Sequence, residues 1–150
     1  MRKVYALLAL LLFLATLFQF FFAAVGAFDE PRDDGSFTLH RMTGMIIIPA
    51  LAVLATIAAA LSRAGGKLIG LTILPVGLIL LQMLIKVIAE AFDEPNGDTS
   101  TASVVIFGFH AINGLVTMAV ARSVMMAARK RATAAEAPAS APAEATAAAN

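Results

Sequence analysis

The chain holds two histidines, and both stand in the same local pattern. Phe37-Thr-Leu-His40-Arg-Met-Thr43-Gly44 and Phe107-Gly-Phe-His110-Ala-Ile-Asn113-Gly114 each read F-x-x-H-x-x-[T/N]-G. Upstream of each motif, inside an apolar run, sits a glutamine: Gln19 before the first and Gln82 before the second. On a helix the positions i, i+3, i+4 and i+7 share one face. His40, Thr43, Gly44 and Ile47 therefore form one stripe, and His110, Asn113, Gly114 and Thr117 another. Two imidazoles presented from facing helices suit axial ligation of haem iron, so a His40/His110 pair holding a b-type haem is the chemistry these residues point to. Gly44 and Gly114 would remove side-chain bulk where a porphyrin must enter, and Thr43 and Asn113 would orient neighbouring groups. Gln19 and Gln82 converge on the same region. Arg41 and Lys86 stand where they could pair with haem propionates.

Each of these residues also has a plainer use. Histidine and glutamine in a bilayer bridge helices by hydrogen bonds, glycine permits close packing, and Arg41 and Lys86 can snorkel to lipid headgroups. Polar side chains are costly in hydrocarbon, and their recurrence in paired motifs favours a shared site over isolated contacts. As a metal pair for zinc or copper, His40 and His110 alone leave the coordination shell short. No G-x-S-x-G, no H-E-x-x-H and no strand-led glycine-rich phosphate loop occurs, and no carboxylate lies in the apolar runs, so nothing points to an enzyme.

The elements that must carry these residues follow from where charge is missing. Of 150 residues 60% are hydrophobic and 14% charged, with a mean hydropathy of +0.87, which sets the chain apart from ordinary water-soluble domains. The stretches 4–28, 42–61, 68–85 and 102–121 hold no charged side chain. About 20 apolar residues cross a bilayer as a helix, and unpaired backbone groups in lipid leave an open chain no alternative. The expected fold class is all-α: a bundle of four transmembrane helices, at about 4–28, 37–62, 67–91 and 102–129, in one domain over 1–131. The Ala/Pro-rich stretch 132–150 reads as a disordered tail. Arg2, Lys3, Arg63, Lys67, Arg129, Lys130 and Arg131 mark one side, and eight of the ten acidic residues mark the other. By the positive-inside rule both termini are cytoplasmic, in a multi-pass protein of the cell's inner (plasma) membrane. A secretory leader over Met1 to Ala27 is the competing reading of the first run, whose apolar stretch is longer than a leader's core. With no cysteine, disulfides, iron–sulfur clusters and covalently attached haem are excluded. A formal net charge of +1 and the lack of a basic, aromatic-interleaved patch give no sign of nucleic acid as a partner.

The pentapeptide Ala-Phe-Asp-Glu-Pro occurs at 27–31 and again at 91–95, each time between a glutamine-bearing run and a histidine motif. Gln19 and Gln82 are 63 apart, the pentapeptides 64 and the histidines 70, so the second copy mainly has a longer loop. Two duplicated hairpins of the same orientation are expected, related by a pseudo-two-fold axis along the membrane normal. Such an axis would set His40 opposite His110.

The Gln19-to-Gly26 stretch, the two histidine motifs and the Gln82 run together resemble a family of small bacterial four-helix integral membrane proteins of unknown function, over about residues 1–130. That resemblance implies the topology and no activity. Two histidines near the outer ends of returning helices are also similar in architecture to the haem-carrying bundles of transmembrane b-type cytochromes and of haem A synthase. The latter's halves carry histidine on more helices than this chain does, so its reaction is not carried over. The residues thus leave three functions open: a haem b protein of electron transfer or redox sensing with a membrane redox partner, a non-catalytic assembly or accessory subunit, and a binder or transporter of a small lipophilic ligand such as a quinone.

Overall fold

In the computed structural model, which describes residues 1–31, 33, 35–94 and 98–134, the four charge-free runs become four helices long and apolar enough to cross a membrane. They are α1 (Arg2–Phe28), α2 (Thr38–Leu61), α3 (Gly66–Glu90) and α4 (Thr101–Ala134), and no strand occurs among the described residues. α1 packs on α2 and α4, and α3 packs on the same two, so α1 and α3 stand diagonally across the bundle, as do α2 and α4. The outside is ringed by large apolar side chains such as Leu7, Phe18, Leu54, Leu80, Val105 and Leu115. An apolar surface this continuous needs lipid around it, and the chain is a multi-pass membrane protein.

Small residues let the helices approach. Ala9, Ala55, Ala58, Ala59, Ala64 and Ala128 surround Tyr5, Val124 and Met125 in the half of the bundle bearing the basic residues. Without a hydrophobic drive between helices in lipid, such close contact and interhelical hydrogen bonds supply the attraction. Tyr5 Oη lies 2.8 Å from Thr72 Oγ1, whose own hydroxyl donates to the Leu68 carbonyl, so the tyrosine is the donor to the threonine. At the same end Arg131 donates to the carbonyl of Arg63, in the turn that follows α2, at 3.0 Å. Gly26, at the other end of α1, is held by a close approach: a Cβ there would lie 2.6 Å from the Ser36 carbonyl and 2.7 Å from the Phe37 ring.

Helix α2 departs from the expected regular spacing. Its first turn, Thr38–Met42, gives way to a π-helical segment, Thr43–Ile47, before α-helix resumes at Ile48–Leu61. Pro49 lies just beyond the segment, lacks an N–H and crowds the carbonyl four residues back, which is the usual cause of such a bulge. The extra residue turns the face by one position. Ile48 is 1% exposed and Ile47 45%, so the stripe that should run from His40 to Ile47 runs to Ile48 instead. In α4, which has no bulge, the regular spacing holds and Thr117 is buried. The fourth helix extends to Ala134, so 132–134 are helical; residues 135–150 lie outside those described.

Candidate functional site

A cavity of about 410 Å³ opens between all four helices in the half of the bundle nearer the acidic loops. Gln19 of α1, His40, Arg41 and Gly44 of α2, Gln82 of α3, and His110 and Gly114 of α4 all line it. Thr43 and Asn113 do not line it, although both are buried beside it. The wall is otherwise mostly apolar, with Phe20, Ile48, Ile79 and Phe107 among its side chains.

The imidazoles of α2 and α4, which stand diagonally in the bundle, come close to one another at the cavity. Their ring centres are 6.1 Å apart and the planes are inclined by 39°. Among the described residues no group of three or more His, Cys, Asp or Glu gathers, so His40 and His110 stand as a pair.

Residues 19–89 match a family of unknown function (DUF6220). The matched segment includes Gln19, His40 and Gln82 and ends before His110, a shorter reach than the 1–130 expected from the residues. No curated protein and no solved structure matches the chain.

The two glutamines do the same job in different helix pairs. Gln19 Nε2 donates to the His40 carbonyl at 2.9 Å, and Gln82 Nε2 donates to the His110 carbonyl at 2.7 Å. The sequence signalled that these residues belong together, but not that the bond would reach the backbone oxygen of the histidine and leave its ring for other use. Asn113 then ties α4 to α3 twice, donating to the Leu78 carbonyl at 2.8 Å and to Gln82 Oε1. At the matching position α2 carries the shorter Thr43, and Gln19 Oε1 is buried with no hydrogen-bond partner.

His40 Nδ1 lies 3.1 Å from the Gln19 carbonyl oxygen. A carbonyl only accepts, so in the neutral ring the proton is on Nδ1 and the Nε2 lone pair is left free. His110 stacks on Phe107, with ring centres 5.2 Å apart and 25° between planes. Its Nδ1 is buried without a partner.

The glycines differ as well. A Cβ on Gly44 would sit 2.7 Å from Gln19 Nε2, so the nearest occupant of that bare Cα is the glutamine amide. On Gly114 a Cβ would meet Phe20 at an ordinary 3.4 Å. Of the two cations on the cavity wall, Lys86 is bonded to Glu90 one turn along α3, and Arg41 Nη2 lies 3.4 Å from Thr38 Oγ1.

Proposed function

We propose that this chain holds a b-type haem between His40 and His110 and serves in electron transfer or redox sensing. The observation that carries the reading is the 6.1 Å between the two ring centres. A metal–imidazole bond of about 2 Å on each side, plus about 1.1 Å from each ring nitrogen to its own centre, sets two axial imidazoles on one iron roughly 6 Å apart. Other residues fit the group too. The His40 Nδ1–H bond to the Gln19 carbonyl is the kind of outer contact that fixes a ligating histidine's tautomer and orientation. Phe20, Ile48, Ile79 and Phe107 offer a macrocycle apolar faces, while Arg41 and Lys86 stand where carboxylates could be met. When bound, haem supplies a one-electron couple. The chain's own residues would hold it, exclude water and set the basicity of the two imidazoles.

The same reading places the acidic loops outside and both termini in the cytoplasm, in the cell's inner membrane, because the basic residues gather at the opposite end. It also takes the chain as a parallel duplication of one hairpin. The paired Gln-to-His-carbonyl bonds and the diagonal positions of corresponding helices support that. A membrane redox partner follows from the function.

A second reading, a non-catalytic assembly or accessory subunit, draws on those same glutamine bonds, which lock helices without any ligand. The mostly apolar wall of the cavity favours a third, a quinone-like lipophilic ligand. Purification of the chain in detergent from cells given a haem precursor separates them. A Soret band and about one haem per chain by pyridine haemochromogen are expected; colourless protein would reject the haem reading in favour of the other two.

A further inference from the structure

The two histidines match in sequence but are held differently. His40 is tied to α1 in both directions: its ring bonds the Gln19 carbonyl, and its own carbonyl takes the Gln19 amide. His110 is tied to α3 through its carbonyl alone, and its ring leans on Phe107 with Nδ1 unpartnered. Phe107 also borders an open surface depression together with Thr99, Ser103, Val104 and Gly108. Phe107 therefore borders the cavity on one side and the open face of α4 on the other. Where the first motif has Thr38, the second has Gly108, and a Cβ there would meet nothing within 4 Å.

An imidazole whose second nitrogen donates to a carbonyl is oriented and made more basic by that bond, and the loss of such an outer partner weakens metal binding about 10–100-fold. His40 has the bond and His110 lacks it. We infer, resting on the haem reading, that His40 is the fixed axial ligand and His110 an exchangeable one. The His110 side is then a binding position for a small neutral ligand, because no bond at Nδ1 holds that ring in place.

The test uses the full chain in detergent, with haem measured by pyridine haemochromogen and the dithionite-reduced protein titrated with carbon monoxide. Reduced wild type is expected to bind carbon monoxide with a shift of its Soret band. His110→Ala should keep its haem and bind carbon monoxide faster, Phe107→Ala should also bind it faster, and His40→Ala should lose haem about 10–100-fold more readily than His110→Ala. Circular dichroism, and recovery of haem by His40→Gly supplied with free imidazole, separate lost ligation from lost fold. If His40→Ala does not fold, wild type and His110→Ala decide the matter. Haem-loaded wild type that refuses carbon monoxide would overturn the inequality and leave the haem reading standing, as would equal haem loss from the two single variants. Wild type that takes up no haem would overturn both.

Discussion

Replacing Gln82 by leucine removes two interhelical hydrogen bonds, the amide donation to the His110 carbonyl at 2.7 Å and the acceptance from Asn113. Replacing Gln19 removes one, the donation to the His40 carbonyl at 2.9 Å, because its Oε1 has no partner to lose and the ring bond of His40 goes to the Gln19 backbone. Such bonds within bilayers average about 0.6 kcal/mol, with a ceiling near 1.7. Gln82→Leu should therefore cost about 1.2 kcal/mol and Gln19→Leu about 0.6, a gap of roughly threefold in the unfolding equilibrium. Leucine is close to glutamine in size, so packing changes little in either variant. The measurement is unfolding of the detergent-solubilised protein by rising dodecyl sulfate, followed by circular dichroism and compared at matched haem content. Gln19→Leu costing as much as Gln82→Leu, or more, would mean that the number of satisfied amide atoms does not set the cost.

The same unfolding assay tests the glycines: Gly44→Ala must push the Gln19 amide off the His40 carbonyl and should cost about 0.6–1.7 kcal/mol, whereas Gly114→Ala meets only an ordinary contact and should cost less. Tyr5→Phe deletes the buried bond to Thr72 and should lower stability within the same range, about 0.6–1.7 kcal/mol, with haem content unchanged because Tyr5 lies in the cluster at the opposite, basic end. Because the chain has no cysteine, single-cysteine labelling reads its orientation directly. An impermeant maleimide on intact cells should modify Thr99→Cys and spare Gly65→Cys, and the reverse pattern would put the cavity in the cytoplasmic half.

The four spans were legible because lipid leaves a charge-free run of this length one solution, and the gathering of Gln19, His40, Gln82 and His110 at one cavity was legible because each recurs in a paired motif. What escaped was anything set by local backbone geometry. Pro49 was visible and its kink expectable, yet the bulge at Thr43–Ile47, which swaps Ile47 for Ile48 on the inner face, depends on how one turn relaxes around the proline. Gly44 read as room for a ligand, whereas its bare Cα lies against the Gln19 amide, a contact fixed by the separation of α1 and α2. The difference between the histidines was hidden too: the motifs are alike, but only the His40 ring meets a backbone carbonyl, that of Gln19; likewise Thr43 and Asn113 look alike as short polar residues, but only Asn113 reaches its glutamine's Oε1. Phe107 carried a faint signal, as the first residue of its motif, while Tyr5 and Thr72 gave only their polarity within apolar runs.

Whether the two histidines hold haem is read from the haem content of the wild type beside the His40→Ala/His110→Ala double variant. Both are expressed with haem precursor and quantified by pyridine haemochromogen after purification in detergent. About one haem per wild-type chain and none in the double variant are expected, since neither histidine would remain to hold the iron. Wild type without haem, or a double variant that keeps the wild-type spectrum, would contradict the haem reading.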